Sequence, residues 1–231
     1  MTIRRREAIG LAGSALLALS AGRAAMAATL GDWLDGAGMV ARFLAAGISA
    51  KSYAMASSSM LPTLEKGDVV LADLRTAGTL PGRGDIIVFR PPGPDTVYVK
   101  RVIGLPGDRV ALKGGRLVLN GKIVERHPKG RAELVLSYRS MPAAIYEEVP
   151  GGARPYQIAE MLGTQMFDDV PERVVPPDAV FVLGDNRDNS LDSRSPDFGP
   201  VPIGNVIGRV VYRLRPNSGW LVPEKSVPGL D

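Results

Sequence analysis

The sequence predicts a mainly β protein, and three observations carry that reading. Its 27 glycines and 19 prolines often fall in groups such as Pro91-Pro92-Gly93-Pro94 and Gly114-Gly115, which punctuate short strands better than helices. Between these breaks lie short runs of strand-forming residues. Two of those runs flank Asn120-Gly121, the strongest short hairpin signal a sequence can carry. With 231 residues and 45% hydrophobic content, the chain can bury a real core as one large domain or two small ones.

Taken in order, the elements begin with Arg4-Arg5-Arg6, an apolar small-residue run over 8–21, and Ala25-Met26-Ala27. This is the three-part layout of an export signal. The run is shorter than the roughly 20 apolar residues that a spanning helix needs, so residues 1–27 read as an export signal or a short signal anchor. Adjacent arginines also suggest twin-arginine export, although residues 7–11 fit that pattern only loosely. Both routes put the body of the protein outside the cytoplasm.

Residues 28–50 read as an amphipathic helical segment, with Leu30, Trp33, Leu34, Ala37, Val40, Ala41, Leu44 and Ile48 on one face. Arg42 is its one cation and Asp32 and Asp35 oppose it, which favours packing on its own domain over lying on a membrane. Strands are predicted at 68–72, 85–90, 96–103, 109–112, 116–119 and 122–125. Residues 126–178, rich in proline, glycine and charge, read as a less regular inserted lobe with a strand at 134–138 and a helix near 156–162. Strands return at 179–183 and 206–212.

Composition excludes several chemistries. There is no cysteine and one histidine, which removes thiol catalysis, iron–sulfur ligation and zinc sites built on Cys or paired His. His127 lies in the polar run 125–130, which reads as an exposed loop, so a hydrolase built on this chain would take its base from Lys, Asp or Glu. Of the 28 basic and 24 acidic residues, 1–27 hold four arginines and one glutamate. The body is therefore nearly neutral, and no basic stripe supports nucleic-acid binding.

Three stretches could carry chemistry. The first, Ser57-Ser58-Ser59-Met60-Leu61-Pro62-Thr63-Leu64, sets three hydroxyls beside an apolar ledge; without a base it is a surface turn. Among the seven lysines, six sit beside glycine, proline or polar residues. Lys100 lies inside Thr96-Val97-Tyr98-Val99-Lys100-Arg101-Val102-Ile103, where alternation puts Tyr98, Lys100 and Val102 on one face. Bringing a lysine from about 10.4 to the 7 to 8 that suits a base costs about 4 kcal/mol, which desolvation can supply. The same spacing also fits a strand-edge lysine that snorkels to water. The third stretch, 184–194, contains Asp185, Asp188, Asp192, Arg187 and Arg194. It fits a solvated loop or charges that brace a site; a calcium loop would lack its closing glutamate and would face two arginines.

Together, the serine stretch, Tyr98-Val99-Lys100-Arg101-Val102-Ile103-Gly104-Leu105-Pro106-Gly107-Asp108 and residues 184–194 resemble the ordered motifs of bacterial type I signal peptidases, over roughly residues 50–215. The resemblance implies a Ser/Lys dyad endopeptidase that removes signal peptides after Ala-x-Ala from exported preproteins at the outer, periplasmic face of the cytoplasmic membrane. Its partners would be preprotein signal peptides and the membrane surface or export translocon. Neither cofactor nor metal is expected. On this resemblance Ser59 matches the nucleophile, Lys100 the general base, Ser57 an oxyanion donor and Ser190 the residue that orients the lysine. Arg101, Asp185, Asp192 and Arg194 match bracing charges, while Met60, Leu64 and Tyr98 match the lining of small substrate pockets.

The implied fold is a core of two antiparallel sheets with an inserted smaller lobe at about 113–178, the catalytic domain covering 51–231. Two departures stand out. Ala56 occupies the place where the family usually has proline, and the usual long anchor is replaced by the short leader and the following helix. A dedicated maturation peptidase of the same fold, of the pilin type, and an inactive peptide-binding homologue are the alternatives. Ala25-Met26-Ala27 is itself the kind of site such an enzyme cuts, so the leader is a candidate for removal.

Overall fold

The computed structural model describes residues 34–91, 96–136, 139–163 and 166–230. The export signal expected over 1–27 and the start of the helical segment lie outside the described residues. In chain order the elements are helix α1 (34–45) and strands β1 (Ala50–Ala54), β2 (Val69–Asp73), β3 (Ile86–Phe89), β4 (Tyr98–Gly104), β5 (Arg109–Lys113), β6 (Arg116–Leu119), β7 (Lys122–Ile123) and β8 (Glu125–Val135). They continue with β9 (Ser140–Val149), β10 (Tyr156–Met161), β11 (Val170–Val174), β12 (Ala179–Leu183), β13 (Val201–Pro202), β14 (Val206–Arg215) and β15 (Gly219–Trp220).

The main sheet runs β1-β2-β14-β3-β4-β12-β13, with β15 paired to β14. Its centre is built from near-continuous apolar runs: Ile-Ile-Val-Phe in β3 and Ala-Val-Phe-Val-Leu in β12 are buried at every position. Such runs have no polar face to give to water and therefore occupy the middle of a fold. β4 lies between them, with Ile87 opposite Lys100 and Val182 opposite Val102. β12 pairs β4 from Arg101 onward, so residues 98–100 have a strand partner on the β3 side and none among the described residues on the other.

Between β4 and β12 the chain makes two smaller sheets, ordered β11-β5-β6-β7 and β10-β9-β8. The predicted hairpin is present: Leu119 pairs with Lys122, and Asn120 and Gly121 have φ of 52° and 78°. Those two positive φ values are what a tight two-residue turn between twisted strands demands.

The structure corrects the reading of this region in two ways. The helix expected near 156–162 is strand β10, because residues 156–161 pair along their whole length with β9, from Tyr156–Glu148 to Met161–Ala143. Six residues are too few for a helix to outweigh that ladder, even with Gln, Ala, Glu and Met among them. The region is also more regular than its composition suggests. β8 contains Arg126, His127, Pro128, Lys129 and Gly130 and is almost wholly exposed, so its order comes from backbone pairing with the ten-residue β9 and leaves no apolar alternation in the sequence. His127 is in this strand rather than in a loop; it is half exposed, 3.4 Å from Glu125.

Helix α1 packs on its own domain as expected, but through a different stripe. Gly36, Met39 and Phe43 are buried, Met39 and Phe43 joining Leu71, Val211 and Leu214 in one cluster, whereas Leu34 and Leu44 are exposed. At Gly36 a Cβ would come within 3.1 Å of the Leu214 carbonyl oxygen. The close approach permitted by this glycine rotates the helix so that the residues three and seven positions later face inward.

Candidate active site

The serine stretch follows β1 as a tight turn. Met55 N–H donates to Asp68 O at 2.8 Å and Leu64 N–H to Met60 O at 2.9 Å, while Met60 and Leu64 are fully buried in the cluster that contains Met55, Val88 and Val210. These apolar anchors hold Ser59 against β4. Lys100 Nζ donates to Ser59 Oγ at 2.5 Å, and Ser57 Oγ donates to the same oxygen at 3.1 Å. Ser57 is exposed, whereas Ser59 and Lys100 are 6% and 3% exposed. The lysine does not snorkel to water.

Burial pushes the Lys100 amine down to about 8. Asp192 and Asp185 pull in the opposite direction, and Arg194 adds to the lowering. Desolvation wins because the ammonium gives up water for one neutral hydroxyl, while both carboxylates are already engaged by arginines. Arg101 grips Asp185 with two bonds, Nε to Oδ1 at 2.7 Å and Nη2 to Oδ2 at 2.6 Å, and Thr63 Oγ1 donates to the same carboxylate at 2.5 Å. Arg194 grips Asp192 at 2.8 and 2.9 Å, and the Gly184 N–H donates to Asp192 at 3.0 Å. Burial raises the Asp192 carboxyl, but Arg194 and that N–H outweigh it and hold it below the ordinary carboxylate range.

The bracing charges named from the sequence are thus brought together as pairs around Lys100. Ser190 stands differently: its enclosed Oγ makes no hydrogen bond to Lys100 and lies instead beside the Asp192 carboxylate, whose pKa it helps to lower. It is packed against Gly184, whose N–H is committed to Asp192. Of the residues expected to line the substrate pocket, Tyr98 does so, whereas Met60 and Leu64 are fully buried in the core cluster behind Met55; the cleft walls come from Met55, Ser57, Tyr98, Val99 and Lys100. The cleft has a volume of about 420 Å³.

Sequence reasoning missed four contributors. Asn186 ties the 184–194 loop to the serine turn, donating from its backbone to Ser59 O and from its side chain to Ser58 O, both at 3.1 Å. Arg187 and Glu148 form a second buried pair, 2% and 1% exposed, with bonds of 2.8 and 2.5 Å. Tyr156 Oη also donates to Glu148, at 3.0 Å. Burial works against the Arg187 charge, but Glu148 outweighs it and raises the guanidinium pKa. Arg187 was visible in the charged loop; Glu148 lies in a weakly patterned strand with nothing to mark it.

Gly184 is the tightest point of this assembly. An added Cβ would collide with Ser190 Oγ and lie 2.5 Å from both Ser190 Cβ and the Ser59 carbonyl oxygen. Gly184→Ala is expected to destabilise the protein by about 1–3 kcal/mol, the usual cost of overpacking, and to displace Ser59. Urea unfolding beside an activity assay checks this; an alanine variant with wild-type stability and activity would contradict the packing described.

A serine hydroxyl bonded to a buried amine of lowered basicity, with the chain's one histidine out on an exposed strand, is the equipment of a serine peptidase whose base is lysine. The chain belongs to the signal peptidase family, peptidase S26, whose family model matches residues 33–215. Signal peptidase I of Bacillus caldolyticus is 38% identical over 167 residues, covering 71% of this chain and 79% of that protein. The corresponding enzyme of Leptolyngbya laminosa is 37% identical over 169 residues, 69% of this chain and 66% of its own length. That of Pseudomonas aeruginosa is 35% identical over 176 residues, 66% and 60% of the two chains. A solved signal peptidase I from Enterococcus faecalis is 29% identical with a TM-score of 0.33, covering 56% of this chain and 95% of that one.

Proposed function

We propose that this protein is a signal peptidase that cuts exported preproteins after Ala-x-Ala, with Ser59 as nucleophile and Lys100 as general base. The observation that carries the reading is the 2.5 Å hydrogen bond between the buried Lys100 amine and Ser59. Neutral Lys100 takes the Ser59 proton as Oγ attacks the scissile carbonyl, then gives it to the departing amine, leaving an ester on Ser59. Lys100 next deprotonates the water that hydrolyses the ester. The Ser57 hydroxyl and the Ser59 N–H stabilise the oxyanion, an effect often worth about 2.7–4 kcal/mol per donor. The narrow cleft between Met55, Tyr98 and Val99 favours alanine by excluding bulk, and Ser190 and the pairs Arg101–Asp185 and Arg194–Asp192 act as positioning residues.

We place the catalytic unit at 51–231, with the two smaller sheets as its inserted lobe, and the enzyme at the periplasmic membrane surface, where signal peptides emerge. Among the described residues no helix is long and apolar enough to cross a membrane. The test is cleavage of a model preprotein by the purified protein. A cut after Ala-x-Ala that disappears in Ser59→Ala is expected, whereas undiminished cleavage by Ser59→Ala would overturn the assignment.

A further inference from the structure

We propose that a second cavity, between the turn joining β9 to β10, strand β14 and the C-terminal segment, binds a phosphate-class oxyanion. Its volume is about 430 Å³, and Arg83, Arg101, Arg154 and Arg209 line it against a single carboxylate, Asp85. Two of the four cations are committed elsewhere: Arg83 to Asp108 at 2.9 Å and Arg101 to Asp185. The other two are less fully engaged. Arg154 is exposed and makes no hydrogen bond or ion pair with another described residue. Arg209 donates through Nη2 to Ser226 O at 2.7 Å, but its Nε is buried without an acceptor, and its ion pair with Asp85 is a long one of 3.7 Å.

A buried guanidinium N–H without an acceptor is a costly arrangement that native structures rarely leave unresolved. An oxyanion resolves it: the planar fork of Arg209 matches a phosphate, and Arg154 closes on it from the solvent side. Asp85 is the one opposing charge, and four guanidinium groups outnumber it; its Oδ2 accepts from the Gly82 N–H at 2.9 Å. Trp220 and Leu221 complete the wall, so the cavity offers cationic donors beside an apolar rim. Free phosphate and the phosphate of a lipid headgroup present the same chemistry to it. The site is separate from the cleft of Ser59 and Lys100, and its occupancy does not depend on the peptidase assignment.

The chain has two tryptophans, Trp33 and Trp220, so the full-length Trp33→Phe protein reports on the cavity through Trp220 alone. Titration with inorganic phosphate at constant ionic strength is expected to give a saturable fluorescence change, with the dissociation constant raised tenfold or more by Arg154→Ala and by Arg209→Gln. Sedimentation with phosphatidylglycerol vesicles, against phosphatidylcholine vesicles, identifies the source. Binding to the anionic vesicles that both substitutions weaken and free phosphate competes away assigns a headgroup, whereas phosphate binding without vesicle binding assigns the free ion. Absence of a saturable response to either probe, or a response that neither substitution changes, overturns the proposal. Arg154 is a surface residue, so its alanine variant decides the matter should Arg209→Gln fail to fold.

Discussion

Lys100→Met is expected to lose cleavage activity by about 10³-fold or more while making the folded protein more stable. The loss follows from the role of a general base, worth about 10²–10⁴-fold alone, and from the dependence of Ser59 on it, since a nucleophile and its base fail together. The gain follows from linkage. Burial depresses the amine from 10.5 to about 8 in the folded state, so the folded state binds the proton less readily than the unfolded chain. Stability therefore falls as pH drops from above 10.5 toward 8 and levels off below, leaving a penalty of about 3 kcal/mol at neutral pH. Methionine fills a similar volume without that penalty. In the wild-type enzyme kcat/KM should rise with pH through an apparent pKa near 8, as the neutral amine accumulates. Urea unfolding of the methionine variant and a pH–rate profile of the wild type check both halves. Retained activity in Lys100→Met, or a rate independent of pH between 6 and about 9, would refute the role given to the lysine.

Glu148→Ala is expected to produce the largest stability loss among single substitutions near the site, about 3–5 kcal/mol, because it strands the Arg187 guanidinium in the interior. Both partners are essentially inaccessible to water, and Tyr156 Oη would lose its acceptor as well. Activity should fall too. The Arg187 N–H donates to Ala159 O at 2.9 Å and its carbonyl accepts from Arg194 Nη2 at 2.5 Å, so releasing its side chain loosens the loop that carries Asp185 and Asp192. Glu148→Gln, which keeps one acceptor, should cost less, and the double change Glu148→Leu with Arg187→Met less than Glu148→Ala alone. Denaturant titration of the three proteins gives the ordering. A loss below about 1 kcal/mol in Glu148→Ala would mean that water reaches Arg187 after all.

What could be read from the sequence was whatever left a local pattern. The turn at Asn120-Gly121 was legible because few dipeptides adopt two successive positive φ values. β3 and β12 were legible because their runs are apolar at every position, and Lys100 because it alone of the seven lysines sits inside a predicted strand run, with Tyr98 and Val102 on its own face. The exposed ladder of β8 and β9 left no such mark, since its order lies in backbone hydrogen bonds that any composition can make. β10 was misread for the same reason: its helix-forming residues are held extended by a partner strand. The helix face was displaced because Gly36 allows an approach that apolar spacing alone does not encode. At the site, the pairs Asp185–Arg101 and Asp192–Arg194 draw on the charged motifs, whereas Glu148 became visible only once β9 was placed beside the loop.

The outer edge of residues 98–100, which no strand among the described residues pairs, bears on the breadth of substrates. A peptide laid along that edge would be held by main-chain hydrogen bonds, which are the same for every amino acid except proline. Affinity would then come from the part of the substrate that does not vary, and the narrow cleft beside Ser59 would check only the few side chains next to the cut. Leaders with little sequence in common could be accepted on equal terms, while one bulky residue at the cut would be enough for refusal.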